Sequence, residues 1–366
     1  MIVFRVDANE QVATGHLMRC LAIASECRRR GADCLFVLAD AQETGRIRRQ
    51  GFPYCVLGSR WDRMEEELEQ LQALLGNYDC DWLVVDSYHA TPSYLQHLHQ
   101  QYRVLYLEDF GTRGYEVTAV LHYGLVEQQE DYTRHYSGRG IHVLAGTEYI
   151  PLREEFQPHH LETLRRQQIQ DREALHGQRI QGREALHGQR MDSPPAVLIT
   201  TGGTDPCHVA VHVLEQCLRQ KPLCSCRYHV VAGSMYHQTE ALERLAGNGS
   251  ADIRIHHAVD RMADLMCQCD YAVSAGGTTL FELCACGVPT VCFSFVDNQL
   301  PAVTQLNRNK VMRYAGDARA GSIQTAICHA LEEYIRHPEE TAGYRTRMRE
   351  LVDGRGVFRI ADLLCR

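Results

Sequence analysis

Short apolar runs alternate with segments whose apolar residues recur at helical spacing, and this alternation runs through both halves of the chain. In the first half, Ile2–Val6, Cys34–Leu38, Tyr54–Leu57, Trp82–Val85 and Val104–Leu107 read as strands. Leu17–Arg30, Glu43–Gln50, Arg63–Leu75 and Pro92–Gln101 read as helices, and Ala119–Leu121 and Ile141–Ala145 as further strands. The second half repeats the theme. Ala196–Thr200, Tyr228–Ala232, Ile253–His256, Tyr271–Ser274 and Thr290–Phe293 read as strands, and Pro206–Arg219, Gln238–Ala246, Met262–Cys267, Thr278–Cys286 and Ser322–His337 as helices. Strands alternating with helices predict the α/β class, with mostly parallel sheets covered on both faces. A chain of 366 residues exceeds one ordinary core, so two doubly wound domains facing across a cleft are expected.

The pattern breaks between the halves. A polar segment at 157–195 separates a first domain, 1–156, from a second, 196–366. Inside it Ile169–Arg179 is repeated as Ile180–Arg190, with Asp171 replaced by Gly182. A period of eleven residues is close to three helical turns, so an added copy lengthens a helix without rotating its apolar stripe. Gly177 and Gly188 weaken such a helix, and a neutral spacer is the expectation.

A net charge of −8 offers no general basic surface for nucleic acid. No apolar run approaches the roughly 20 residues that span a bilayer. Arg5 and Asp7 interrupt the first apolar run before a signal-peptide core can form, which leads to the expectation of a cytoplasmic protein without stable membrane insertion. The 16 cysteines include three Cys-x-Cys pairs but no Cys-x-x-Cys, so buried thiols are expected rather than a zinc site.

The chemistry-bearing residues fall where strands end. The first strand runs through a polar loop into Gly15-His16, and Leu17, Leu21 and Ala24 then recur at helical spacing. A histidine at a strand–loop–helix junction stands where open α/β sheets bind ligands, and its imidazole exchanges protons near neutral pH. Ala196–Thr200 leads into Thr201-Gly202-Gly203-Thr204-Asp205-Pro206, a glycine pair before a helix start that could cradle an anion, with Asp205 as the cap. Tyr271–Ser274 leads into Ala275-Gly276-Gly277-Thr278-Thr279, with two hydroxyls as caps and Glu282 one turn in, suited to gripping ribose hydroxyls. Phe295 to Gln299 would return polar groups to the same mouth. Neither a dinucleotide-binding glycine fingerprint nor a Walker A sequence occurs, which disfavours NAD, FAD and P-loop chemistry.

These residues resemble the PseG family, hydrolases of UDP-2,4-diacetamido-2,4,6-trideoxy-β-L-altropyranose in pseudaminic acid biosynthesis. That family lies within the wider MurG-like GT-B superfamily, which includes spore-coat polysaccharide glycosyltransferases. The matching motifs are Phe4-Arg5-Val6-Asp7, Gly15-His16-Leu17-Met18-Arg19-Cys20, Val84-Val85-Asp86-Ser87-Tyr88, Tyr149–Phe156, Gly202-Gly203-Thr204-Asp205, Ser274–Leu283 and Asp297-Asn298-Gln299. The resemblance implies a GT-B fold, UDP held by the second domain and the sugar near the first. It implies a catalytic role for His16, with Tyr88 and Asn298 lining the sugar and phosphate side and Glu282 on the ribose. Ser87 stands where the family often has histidine, and Glu108-Asp109 where it often has paired aspartates. Phe110-Gly111-Thr112 then follows, and His122-Tyr123 stands where it often has an Asn-Gln-like pair. These departures lie on the sugar side.

The expected reaction breaks the C1–O bond of a UDP-linked amino sugar with inversion. UDP needs no protonation to leave, so a base that deprotonates water suffices. His16 is that base, and Asp7 or Asn298 orients it or the water. The catalytic candidates are thus His16, Asp7, Tyr88 and Asn298. The substrate-binding candidates are Arg5, Gly15, Gly202, Gly203, Thr204, Ser274, Gly276, Gly277, Thr278, Thr279, Glu282 and Gln299. No metal or cofactor is required, and a monomer is expected. The alternatives are a glycosyltransferase using the same donor and a non-catalytic nucleotide-sugar binder.

Overall fold

The computed structural model describes residues 1–9, 15–109, 114–125, 132–167, 194–233, 236, 239–249, 251–257 and 259–366. The tandem repeat and Phe110-Gly111-Thr112 lie outside these residues. The chain divides into two units, Met1–Glu154 with Gly354–Arg366, and Glu155–Asp353.

The first unit is built on a seven-stranded parallel sheet in the order β3-β2-β1-β4-β5-β6-β7. Its strands are β1 (Ile2–Val6), β2 (Cys34–Leu38), β3 (Tyr54–Val56), β4 (Trp82–Asp86), β5 (Val104–Leu107), β6 (Ala119–His122) and β7 (His142–Ala145). The central strands are buried on both faces, which is why they read as continuous apolar runs rather than alternating ones. Successive β1 residues feed two different cores. Ile2, Phe4 and Val6 join Leu17, Leu21, Trp82 and Leu105, while Val3 joins Val37, Leu83, Leu95 and Val104. Between β1 and β4 the register pairs Val6 with Asp86, which sets the ends of these two strands side by side.

The second unit carries a six-stranded parallel sheet in the order β10-β9-β8-β11-β12-β13. Its strands are β8 (Ala196–Thr200), β9 (Arg227–Ala232), β10 (Asp252–His257), β11 (Tyr271–Ala275), β12 (Thr290–Ser294) and β13 (Arg313–Asp317). Val197, Ile199, Val230, Val273 and Phe293 pack against Val213, Leu214, Ile327 and Leu331 of two helices, Val209–Arg219 and Gln324–Arg336. Strand β13 escapes the sequence pattern: Arg-Tyr-Ala-Gly-Asp is a half-buried edge strand with no apolar run to mark it.

Two boundaries differ from expectation. Residues 158–167 of the supposed linker are helical and belong to the second unit, with Leu161 buried and Arg165 donating to the Ala285 carbonyl at 2.8 Å. The last helix, Gly356–Leu364, belongs to the first unit rather than the second. Its apolar stripe of Val357, Ile360, Ala361 and Leu364 enters the same core as Leu17 and Leu21. Burying Val357, Ile360 and Leu364 stabilises this docking by about 1.5–3 kcal/mol each. Helical periodicity defines such a stripe but does not say which of two cores it covers.

The return of the last helix depends on Gly356. A Cβ there would lie 2.1 Å from the Ile150 carbonyl oxygen. Gly356→Ala therefore lowers stability by about 3 kcal/mol, measured as the shift of the urea unfolding midpoint. An unchanged midpoint would contradict the tight docking.

Candidate active site

The helix Gly15–Arg29 follows β1, and His16 and Arg19 lie three residues apart in its first turns, on one face. That face meets the end of β4. The His16 Nδ1 lies 2.5 Å from Asp86 Oδ1. Arg19 grips the same carboxylate with two prongs, Nε to Oδ2 at 2.6 Å and Nη2 to Oδ1 at 2.5 Å. It also donates to Asp109 at the end of β5, Nη1 to Oδ1 and Nη2 to Oδ2, both at 2.8 Å, and to the Tyr123 hydroxyl. The Cys20 thiol approaches Asp86 Oδ2 at 3.3 Å. Tyr88 sets its ring edge-on to His16, with centroids 4.3 Å apart.

Asp86 is fully buried. Burial alone would raise its carboxyl, but the Arg19 guanidinium and then the His16 ring reverse that and hold it well below the usual carboxylate range. Arg19 Nη2 also lies 3.2 Å from Nδ1, but its two hydrogens go to Asp86 and Asp109; an ionised Asp86 only accepts, so its contact with the ring assigns the proton to Nδ1. Nε2 then presents a lone pair. It is buried, with no hydrogen-bond partner among the described residues. This is a base held in one tautomer, with its reactive nitrogen uncommitted.

His16, Asp86 and Asp109 bring metal-ligand atoms within 4.8 Å of one another. Arg19 already spans both carboxylates with four N–H···O bonds, and a divalent ion at that point would meet its charge. The donor set therefore fits a resident guanidinium rather than a metal.

Arg5 and Asp7 occupy a second buried network. Arg5 pairs with Glu67 through Nε–Oε1 at 2.6 Å and Nη2–Oε2 at 3.0 Å, and its Nη1 donates to Asp7 Oδ1 at 2.7 Å. Tyr94 and Ser59 donate their hydroxyls to Glu67. Arg5, expected to bind substrate, is fully buried and its guanidinium is engaged by two carboxylates. Asp7 does not hold His16, since Asp86 has that place. The motifs contained Asp86, Arg19 and Asp109, yet their roles were missed. Arg19 had a readable signal, its three-residue spacing from His16. Gly15 opens the helix and is exposed. Beside Asp109, His122 is buried with Nδ1 2.9 Å from the Glu108 carbonyl and its ring stacked on Tyr132.

In the second unit the first glycine turn differs from expectation at its helix. The helix starts at Val209, not Pro206, and the Asp205 carboxylate accepts from the N–H groups of Val209 and Ala210, both at 2.9 Å. Those helix-start donors are taken up, which leaves an anion the backbone of Gly202–Thr204 itself. Gly202 adopts φ +84°, which glycine tolerates without strain, and Gly203 is exposed. The turn is pinned by a glycine that sequence reading passed over. A Cβ on Gly233 would lie 2.3 Å from the Gly202 oxygen.

At the second turn Ser274 is buried and its hydroxyl lies 3.1 Å from the Ala275 carbonyl, which withdraws it from the candidate substrate contacts. Gly276 serves packing, because a Cβ there would come within 2.7 Å of Val303 and 3.0 Å of the Gln299 Cβ. Gly277 and Thr278 are exposed, and the helix Thr279–Cys286 begins without the side-chain cap expected of Thr278. Glu282 is half-buried one turn in. Gln299 turns its amide oxygen back to the Phe295 N–H at 3.0 Å, bracing its own loop, and Asn298 beside it is exposed.

No protein-family model matches the chain. An uncharacterized protein of Methanocaldococcus jannaschii, MJ1062, is 22% identical over 99% of this chain and 66% of its own length. The spore coat polysaccharide biosynthesis protein SpsG of Bacillus subtilis is 27% identical over 46% of this chain and 49% of its own. The chain thus spans about two thirds of the first relative and matches about half of the second. Acinetobacter baumannii MurG superposes with a TM-score of 0.64 at 14% identity, covering 99% of this chain and 98% of that one. A glycosyltransferase from Rickettsia africae gives 0.59 at 11%, covering 99% and 97%. Phytolacca americana UGT2, complexed with UDP-2-fluoroglucose and pterostilbene, gives 0.64 at 10%, covering 100% and 99%. With its sheets of seven and six parallel strands, the chain has the two-domain GT-B fold of these proteins.

The depressed carboxyl of Asp86 gives a signed pH dependence. Its ion pair contributes stability that is complete above about pH 4 and is lost as the pH falls towards the folded-state value. Asp86→Asn flattens the pH dependence of the urea midpoint below pH 4 and costs about 3–5 kcal/mol at neutral pH. A variant whose midpoint tracks wild type between about pH 4 and 2 would remove Asp86 from this role.

Proposed function

We propose that this protein hydrolyses a UDP-linked 2,4-diacetamido-2,4,6-trideoxy sugar, cleaving C1–O to release UDP and the free sugar with inversion. The observation that carries this reading is His16, its Nδ1 held by Asp86 and its Nε2 buried and unpartnered among the described residues. Water attacks C1 as its proton passes to Nε2. The electron pair of the C1–O bond leaves with the β-phosphate oxygen, which is stable as an anion and needs no acid. Asp86 balances the charge that develops on the ring, and Arg19 keeps that carboxylate ionised and in register. Tyr88 lies against the ring and positions the sugar.

Nucleotide recognition is assigned to the second unit. Its glycine turns, where Gly203, Gly277 and Thr278 are exposed, offer the backbone around Gly203 and Thr278 to the diphosphate, the Gly277 N–H being taken by the Ala275 carbonyl at 2.8 Å, and Glu282 takes the ribose hydroxyls. The likeness to MurG and to a UDP-sugar-bound UGT supports a nucleotide-sugar enzyme, and the likeness to SpsG supports a place in polysaccharide biosynthesis. The names of these neighbours favour a second reading, in which an acceptor hydroxyl replaces water. The same base and the same UDP site would serve it.

Proton NMR of the protein with UDP-2,4-diacetamido-2,4,6-trideoxy-β-L-altropyranose and no acceptor separates the readings. Hydrolysis yields UDP and inverted free sugar, and His16→Ala lowers the rate about 10²–10⁴-fold. A donor that stays intact in water but is consumed when an acceptor saccharide is added selects the transferase. A donor that binds and survives both conditions sinks both enzymatic readings.

A further inference from the structure

The Arg5 network is closed everywhere except at one atom. Glu67 receives two bonds from Arg5, one from Tyr94 and one from Ser59. The remaining Arg5 donor, Nη1, fixes Asp7 Oδ1 at 2.7 Å. Asp7 Oδ2 is buried and has no hydrogen-bond partner among the described residues, although Asp7 is only 1% exposed. An unsatisfied buried carboxylate oxygen is costly, so a donor supplied by a ligand would gain by closing this bond. The open oxygen lies at the carboxyl end of β1, the side of the sheet on which His16 stands. The Asp7 N–H reaches the Asp86 carbonyl at 3.3 Å, tying the Asp7 backbone to the strand end that holds the histidine.

We infer that Asp7 Oδ2 is a substrate-positioning acceptor, taking an N–H or O–H donor on the sugar ring. The inference rests on reading the first unit as the sugar side. Charge separates a sugar from a phosphate here. The Arg5 cluster sets one guanidinium against the carboxylates of Asp7 and Glu67, and the Arg19 cluster sets one against Asp86 and Asp109. Both clusters are formally negative, so this end of the sheet repels a diphosphate and recruits a neutral donor. An amido sugar offers such donors at its acylamino nitrogens and its free hydroxyl.

The test is Asp7→Asn, chosen because Asp7→Ala would leave Arg5 half-paired and endanger folding. Arg5 demands an acceptor at Oδ1, so the asparagine keeps its carbonyl there and presents NH2 where Oδ2 was. An acceptor becomes a donor with almost no change of shape. The expected result is a thermal midpoint near wild type, unchanged affinity for UDP alone and a KM for the diacetamido substrate raised about 10- to 100-fold, with a smaller change in kcat. Titrations with UDP-N-acetylglucosamine and UDP-glucose identify the donor. Weakening of the first alone assigns an N–H, and weakening of both assigns a hydroxyl. Wild-type affinities and KM in a folded variant would overturn the inference while leaving the hydrolase reading intact. Wild-type protein that binds no UDP-sugar would overturn the parent reading and this inference with it.

Discussion

The pairing of Arg19 with Asp86 is the interaction on which the first unit's chemistry rests. A carboxylate with no exposure costs several kcal/mol to bury, and only a partner of excellent geometry offsets that. Arg19 supplies a two-pronged grip and then reaches on to Asp109 and Tyr123, so one guanidinium joins the ends of β4 and β5 to the residue after β6. With Asp86 fixed and ionised, one acceptor remains for His16, and the histidine has little choice of tautomer. Truncating Arg19 would disturb His16 chiefly through the carboxylate that holds it, since Arg19 Nη2 itself lies 3.2 Å from the ring nitrogen.

The fold was largely legible because buried parallel strands write themselves as apolar runs. All the strands foreseen from such runs in 1–150 and 196–294 are present, within a residue or so at their ends. What was missed has a physical reason. Strand β13 is a half-buried edge with no apolar run, and the helix Gly356–Leu364 shows a stripe but not its destination. The segment 158–167 looks polar because its packing depends on Leu161 and on the capping donations of Arg165.

The site was legible only in part, and the missing part is the long-range part. His16 announced itself through the strand–loop–helix pattern. Its partner lies 70 residues away, and only the pairing of β1 with β4 makes them neighbours. Arg5 misled because it sits in a strongly patterned motif whose purpose is to pair with Glu67, a residue on a short turn that no motif marks. The glycine turns misled differently. Gly276 and Gly233 answer to the atoms packed against them, a requirement that a sequence cannot display until its neighbours are known.

Two kinds of environment follow from these constraints, and under the proposed function they divide the work between them. In two buried clusters of the first unit each guanidinium faces two carboxylates, and Asp7 Oδ2 and His16 Nε2 have no hydrogen-bond partner among the described residues. Such an environment takes protons and neutral donors and rejects phosphate. In the second unit, glycines bare the backbone at two strand ends. Asp205 turns away to cap its own helix, so its charge is already met by the N–H groups of Val209 and Ala210. A diphosphate can therefore approach that turn without facing an unpaired carboxylate from Asp205. For the proposed reaction, one base, no acid and a leaving group that departs unaided make a consistent set. In that reaction the buried negative charge stands where a proton must be taken, and the backbone dipoles where negative charge must be received.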